Sequence, residues 1–467
     1  MNASARSDDS ASPACVWRRV DGFADLARLH RYAPQRYPHL LESVAHGTPQ
    51  ARYDILFAFP GDSLLLEPSG QVSLNDIPQA GDFLEVFDRH WHAAHIPDQA
   101  VAFPFHGGWF VFLAYEFARF LETSLTELPQ ADNGPVAMAV RFPAAVIRDH
   151  DAGSTFVICE STQSDLLNQM EQDLRRAAAM SVEAPNELQI DQLEEEDPAL
   201  YRKRFARTLE YIQAGDTYQV NLSRVWRIQL KQPVSAIALY ERLRLANPAP
   251  FAGLMTLKKD RAVISSSPER LVSVRHGRIN TRPIAGTHPR SSDANEDRAL
   301  AQALVSSPKE RAEHVMLVDL ERNDLGRICR AGSVHADESL QLESYRHVHH
   351  IVSAISGELN AGVTPAHVIR AVFPGGTITG CPKLRTMKII AELEGTARGA
   401  YTGSMGYINR DGSLDLNILI RTLVQDGNTL QLRAGGGIVA DSDPERELHE
   451  TRVKAKGMLT ALGIAGT

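Results

Sequence analysis

Two pairs of glutamates, each with its members three residues apart, are the first candidates for chemistry. Glu310 and Glu313 lie in KERAEHVML, and Glu447 and Glu450 lie in ERELHETRVKAKG. On a helix that spacing puts both carboxylates of a pair on one face, where like charges cost a few tenths of a kcal/mol. A hard divalent cation relieves the repulsion, and Mg2+ prefers oxygen ligands in octahedral geometry while keeping several waters. The same spacing is common on solvated helix faces, so the surroundings of each pair carry the argument.

Two glycine-rich stretches supply those surroundings. FPGGTITGCPKLRTM, residues 373 to 387, has the glycines and lysine of a phosphate loop, but Cys381 and Pro382 separate the last glycine from Lys383. That spacing excludes a Walker motif, and no GxGxxG offers a dinucleotide site. What remains is a loop whose Thr377, Thr379 and backbone amides precede a helix with Pro382 at its first position, an anion-attracting arrangement. In RAGGGIVADSDPERE, the bare backbone at Gly435, Gly436 and Gly437 either admits a ligand or makes a tight turn. RHVHHIVSAISG holds three histidines. At strand spacing His347 and His349 share one face and His350 the other, which favours one functional imidazole over a metal cluster.

These residues need elements to hold them. DPALYRKRFARTLEYIQAGD reads as a helix, with an Asp cap, Pro at the first position, an apolar stripe at Leu200, Phe205, Leu209 and Ile212, and a stop at Gly215. YQVNLSRVWRIQL, RAVISSSP and LQLRAGGGIVA read as strands. ANEDRALAQALV, KERAEHVMLVDLERND, KLRTMKIIAELEG and ERELHETRVKAKGMLTAL read as helices. Ahead of them, YDILFAF, GGWFVFLAY, VAMAVRF and TFVICE are short apolar runs between turn residues. The organisation expected is a first region over 16–180, an acidic connection over 181–197 and a second region over 198–467. The class is mixed α/β (α+β) with an antiparallel sheet.

Composition narrows the functions. The chain has 467 residues, 43% hydrophobic and 23% charged, enough to bury a large core. A net charge of −8 without a long basic run argues against nucleic acid. No apolar stretch is long enough for a bilayer, and MNASARSDDSASP lacks the apolar core of a signal peptide, so a cytoplasmic protein away from the membrane is expected. The four cysteines form no CxxC pair and read as buried thiols.

Nine blocks in order, from SSSPER and TRPIAGT through AEHVMLVDLERNDLGR, HIVSAISG, FPGGTITGCPKLRTM, RGAYTGSMGYI, DLNILIRTL and AGGGIVADSDPERE to ETRVKAKG, resemble the chorismate-utilising enzymes. The resemblance runs from about residue 200 to the end and more weakly through YPHLLESV and GGWFVFLAYEF. It implies α/β/β/α layers around an orthogonal antiparallel β-sandwich shared by both regions. It also implies Glu313 and Glu450 as direct Mg2+ ligands, Glu310 and Glu447 acting through water, and a metal that holds the ring carboxylate of chorismate. Tyr401, Arg421, Lys454 and the amides of Gly435, Gly436 and Gly437 would bind the remaining charge. Glu269 would protonate the departing C4 hydroxyl, although alone it reads as a strand-end charge. His350 would orient substrate or move a proton, and Thr287 and Thr377 would contact substrate.

The branch follows from two positions. Isochorismate and salicylate synthases resemble this chain but carry a lysine base where Gln219 stands; glutamine accepts no proton, whereas ammonia needs no such activation. The aminating branch is implied. In the best-known aminodeoxychorismate synthases a lysine adds to the ring first, at the position of Ala285 in TRPIAGTHPR. PIAGT resembles anthranilate synthases, while YQVNLS and FPGGTITGCPKLRTM resemble aminodeoxychorismate synthases, part of which carry alanine. Over the whole chain the resemblance implies component I of an aminodeoxychorismate synthase without a covalent lysine route, serving 4-aminobenzoate and folate synthesis. Component I of an anthranilate synthase is the alternative. A silent regulatory paralogue is disfavoured because the matched acids and cations are all present. No Cys–His glutaminase signature occurs, so the implied partners are a glutamine amidotransferase subunit as ammonia source and aminodeoxychorismate lyase as recipient. LLES at 40–43 resembles a tryptophan-contacting strand.

Overall fold

YDILFA is apolar on both sides because both faces of its strand are covered. In Tyr53–Ala58, Ile55 and Phe57 point into one core while Leu56 and Ala58 point into another. Gly108–Leu113 behaves likewise: Phe110 and Phe112 face the first core, Trp109, Val111 and Leu113 a third. The computed structural model in which these cores appear describes residues 14–23, 25–45, 51–98, 101–130, 134–181, 188–258, 260–291, 293–344 and 348–464; at 285, 287–289, 308–310, 338–340, 348 and 350 it describes the backbone alone.

Two 12-stranded sheets face each other across the shared core, and their pairings are antiparallel. Helices Leu26–Tyr32, Leu166–Ala179, Ala236–Ala246 and Pro444–Ala461 cover the outer face of one sheet. Phe83–Ala94, Pro365–Val372 and the end of Pro308–Gly326 cover the other. The result is helix, sheet, sheet, helix. Both regions of the sequence contribute to each sheet: Leu40 pairs with Leu254 in one, and Phe110 with Tyr407 in the other.

Three local expectations change. Ile190–Glu195, read as part of an acidic connection, is an edge strand antiparallel to Gln219–Leu230; pairing satisfies its backbone although its side chains are mostly exposed. The helix after it, Pro198–Gln213, is capped by Asp197 as expected, but it buries Tyr201, Phe205, Thr208 and Tyr211 and leaves Leu200 40% exposed. Two tyrosines with large apolar bodies set the buried face, replacing Leu200 by Tyr201 at one end and Ile212 by Tyr211 at the other, with Leu209 and Ile212 left partly buried. Pro382 is the cap rather than the first residue of helix Lys383–Glu394, and Lys383 is bonded to Asp324. Among the described residues no helix is long and apolar enough to cross a membrane.

Candidate active site

The glycine run is a strand, not a turn. Thr429–Ile438 lies antiparallel to Gln219–Leu230, with Gly437 opposite Asn221, Gly436 opposite Leu222 and Gly435 opposite Ser223. None of the three has a positive φ, so glycine is required for room. A Cβ at 437 would collide with the Gln219 amide and stand 3.3 Å from Glu313 Oε1; one at 435 would stand 2.9 Å from the Tyr401 hydroxyl. On the opposite face, a Cβ at 436 would lie 3.4 Å from Glu447 Oε2, 3.5 Å from Lys454 Nζ and 3.6 Å from Glu450 Oε1. The bare strand lets two sets of functional groups approach from its two sides.

Helix Pro444–Ala461 delivers one set. Asp443 accepts from the amides of Glu445 and Arg446 at 3.0 and 2.9 Å, and Pro444 opens the first turn. The helix then presents Glu447, Glu450 and Lys454 together. Lys454 Nζ lies 2.6 Å from Glu450 Oε1 and donates to the Gly435 carbonyl at 3.0 Å, while Ser442 donates to Glu447 Oε1 at 2.8 Å. Burial raises the Glu450 carboxyl, but Lys454, then Arg421 and Arg446, more than offset it and hold it below its ordinary value.

Helix Pro308–Gly326 brings Glu313 and Leu317, one turn apart, to the same cavity. The cavity is about 170 Å³, and its wall holds the carboxylates of Glu269, Glu313, Glu447 and Glu450 against the cations of Arg421, Arg433, Arg446 and Lys454. Gln219, Thr377, Tyr401, Gly435 and Gly437 of the set expected from sequence line it as well, and Gly436 does not. Gly286 lines it too, between Ala285 and Thr287. The strand Ile284–Pro289 sets Ala285 beside Ile351 and Thr287 beside His350, so this backbone runs along the cavity; the side chains of Ala285, Thr287, Glu310 and His350 lie outside the described residues. His349 is buried between Ser344 at 2.7 Å and Asp297 at 3.0 Å, a structural role, and His347 is outside the described residues.

Glu269 sits after the strand Arg261–Ser267 and is 4% exposed. Burial pushes its carboxyl up to about 7, against the hydrogen bond from the Thr377 hydroxyl at 2.8 Å. It is therefore an acid available near neutral pH. Behind the loop that carries Thr377, Glu321 accepts from the Gly376 amide at 3.1 Å and from the Thr281 hydroxyl at 3.3 Å; burial also pushes it up to about 7.

Arg421 has a φ of 53°, a left-handed conformation that costs free energy in a residue with a side chain and is frequent at functional sites. Burial lowers its pKa while Tyr401, Glu450 and Glu269 raise it. No ion pair or hydrogen bond ties its guanidinium among the described residues, which leaves it facing the cavity as a cation for an anionic ligand.

The charged cluster behind the cavity wall was not foreseen. Glu394 is buried between Arg398 at 2.7 Å and Arg433 at 3.1 Å and also accepts from the Ser223 amide at 2.9 Å and hydroxyl at 2.8 Å. Arg398 in turn donates to the carbonyls of Asn221 at 2.6 Å and Ile378 at 3.1 Å. Asn221 and Arg433 line the cavity; neither was singled out, since Asn221 lies within YQVNLS, which was read only for its branch resemblance, and Arg433 precedes the glycine run without a spacing that marks it.

The donors match a hard cation in kind, since Glu313, Glu447 and Glu450 offer oxygen from two helices to one cavity. As placed, no three acidic, histidine or cysteine residues among those described converge closely enough to hold a metal. The ammonium of Lys454 occupies the position of positive charge beside Glu450.

A cavity that pairs balanced charge with a neutral buried acid suits a small anion undergoing acid-assisted loss of a group, and the comparisons agree. Residues 48–460 match the model of the chorismate binding enzymes. The chain belongs to that family and is an enzyme acting on chorismate. It is 37% identical over 469 residues to aminodeoxychorismate synthase component 1 of Bacillus subtilis, covering 94% of this chain and 95% of the relative. It is 41% identical over 363 residues to an anthranilate synthase component I-like protein of Synechocystis sp., covering 77% and 73%. Its fold superposes on the crystal structure of anthranilate synthase component I from Streptococcus pneumoniae with a TM-score of 0.77 at 31% identity, covering 88% of this chain and 93% of that one. A second cavity, of about 450 Å³, includes Leu41, Glu42 and Ser43 of LLES in its wall.

Proposed function

We propose that the protein is the chorismate-aminating component of an aminodeoxychorismate synthase, replacing the C4 hydroxyl with an amine and retaining the enolpyruvyl group. The observation that carries the amination step is Glu269: a buried carboxyl pushed up to about 7, bonded to Thr377, in one cavity with Gln219 where a water-activating enzyme needs a base. Arg421, Tyr401 and Lys454 bind the carboxylates of chorismate. Glu269 protonates the C4 hydroxyl as it leaves, and afterwards takes a proton from the nitrogen. Alanine at 285 offers no amine, so the route has no lysine adduct.

Mg2+ belongs to this reading: Glu313 and Glu450 would hold it directly, with Glu310 and Glu447 through water. When bound it supplies charge that orients the ring carboxylate. Ammonia would come from a glutamine amidotransferase subunit, in keeping with relatives named as component 1, and the product would pass to a lyase that forms 4-aminobenzoate. Cytoplasmic placement fits such a pathway.

The alternative product is anthranilate. Ala285 favours it, as does the similarity to proteins named anthranilate synthase. Incubation with chorismate, Mg2+ and ammonium decides between them. Product that becomes 4-aminobenzoate only on adding aminodeoxychorismate lyase is expected; fluorescent anthranilate made by this chain alone overturns the choice. Intact-protein mass after turnover should show no adduct, and one trapped on a lysine refutes the direct route. Mg2+ dependence unchanged in both Glu313→Gln and Glu450→Gln refutes the metal set.

A further inference from the structure

One buried carboxyl outside the cavity lining touches both segments that hold Glu269. Glu269 takes one bond from the Thr377 hydroxyl at 2.8 Å and another from the Ile284 backbone. Glu321 stands behind both and is buried. Its Oε1 accepts from the amide of Gly376, the residue before Thr377, at 3.1 Å; its Oε2 lies 3.3 Å from the hydroxyl of Thr281, three residues before Ile284. On the helix Pro308–Gly326 it continues the face of Glu313 and Leu317, so the helix that reaches the cavity also reaches the back of these two segments. The contact with the loop is close. A Cβ at Gly376 would stand 2.6 Å from Leu320 Cδ2 and 3.2 Å from Glu321 Oε1, so only bare backbone can rest on the helix there. Within the loop the Thr379 hydroxyl takes the carbonyls of Gly375 and Gly376 at 2.9 and 3.2 Å, and the buried Gly376 amide points out to Glu321 instead.

We infer that Glu321 is a positioning residue for the acid: by gripping the Gly376 amide and the Thr281 hydroxyl it fixes the two groups that orient the Glu269 carboxyl. The inference rests on Glu269 as the acid of the reading above and adds what aims it. The last torsion of a glutamate is soft, so a buried carboxyl keeps one orientation only while its oxygens are bonded. Thr377 and Ile284 supply those bonds, and neither segment is anchored to the helix by its own apolar side chains alone. A proton donor must lie within hydrogen-bond reach of the group it protonates, so a loop displaced by a fraction of an ångström lowers the rate of that step. Asp324, about one turn further along the helix, is the contrast. It pairs with Lys383, where the next helix begins, and has no printed bond to the segments that hold Glu269.

Steady-state turnover of chorismate with ammonium chloride as nitrogen source tests this, with melting curves to show that each variant is folded. Glu321→Met removes both oxygens, Glu321→Gln keeps an acceptor for the Gly376 amide, and Asp324→Asn weakens the neighbouring tie of the same helix. We expect kcat to fall about fivefold in Glu321→Met, the size of one hydrogen bond, and to stay within about twofold of the parent in Glu321→Gln and Asp324→Asn. In a Glu269→Gln background Glu321→Met should add less than about twofold, because the group it aims no longer gives a proton. A parental kcat in the folded Glu321→Met overturns the role, as does an equal loss in Asp324→Asn or a full further loss in the Glu269→Gln background. Glu321→Gln more than about twofold below the parent overturns it whatever the methionine variant does, since the hydrogen bond is then not what matters. A parental kcat in Glu269→Gln alone overturns the acid reading, and the positioning role with it.

Discussion

Glu269 in the cavity wall and Glu394 behind it, bonded to the wall residue Arg433, are both buried glutamates, and their surroundings drive them in opposite directions. Burial dominates at Glu269, where the Thr377 hydroxyl, the Ile284 backbone and Lys454 offset only part of it, and the carboxyl rises to about 7. Glu394 is buried as deeply, but Arg398 and Arg433 outweigh burial and hold it down at about 2. The first is a proton donor near neutral pH; the second is a permanent charge that ties strand Gln219–Leu230 to the segments carrying Ile378 and Arg433. Depth of burial alone therefore does not identify an active acid. What separates the two is whether the protein has supplied countercharge, since a paired carboxylate has its proton removed for good.

The largest effect expected from breaking this contrast is at Glu269. Glu269→Gln keeps the shape of a neutral buried acid and removes its proton, so kcat should fall by about 10³-fold with melting temperature unchanged or raised. A loss below about tenfold would remove Glu269 from the chemistry. Glu394→Gln should do the reverse. It strands two buried guanidinium groups and should cost about 3 kcal/mol or more in denaturant unfolding, because breaking a buried pair leaves uncompensated charge.

Varying pH sharpens the comparison. Activity requires protonated Glu269, so kcat/KM should decline as pH rises through about 7. For stability, Glu269 is raised above its unfolded value, so its contribution is full below that value and is lost as pH rises through about 7. Glu394 is depressed, so its contribution is present above the unfolded value and lost as pH falls towards about 2. Unfolding free energies across pH, compared between the parent, Glu269→Gln and Glu394→Gln, should separate these two slopes. The smallest effect is expected at Thr377→Val. Its hydroxyl favours the charged form of Glu269, so losing it should move the alkaline limb of kcat/KM to higher pH and cost about 1 kcal/mol in transition-state binding. A limb moved to lower pH would contradict the assigned direction.

Much of this site was legible in the chain. Glu447, Glu450 and Lys454 share a helix face, so their spacing alone brings them together, and Asp443 and Pro444 mark where that helix starts. Gly435 to Gly437 announced a backbone that something must approach, though whether as turn or strand depended on pairing with Gln219–Leu230. The buried stripe of Pro198–Gln213 was misphased because Tyr201 and Tyr211 bury more surface than Leu200 and Ile212, a choice made by the neighbours. Glu394, Arg398 and Arg433 were invisible, because glutamates and arginines are ordinarily surface residues and only their convergence makes them a core.

The sequence by itself determined most of the helices and strands around the site, because helix spacing, strand alternation and caps act over a few residues, whereas the strand Ile190–Glu195 and the buried face of Pro198–Gln213 waited on their neighbours. It also set the chemical kinds available: carboxylates in pairs, an amide at 219, a methyl group at 285. The tertiary structure decided what those groups are. It placed Glu313 and Glu450 from different helices at one cavity, gave Glu394 two arginines at bonding distance and Glu269 none among the described residues, and left the buried oxygens of Gln219 and Asn221 without donors among the described residues. A proton's affinity and an orphaned acceptor depend on everything within a few ångströms, and that neighbourhood is assembled from residues far apart in the chain.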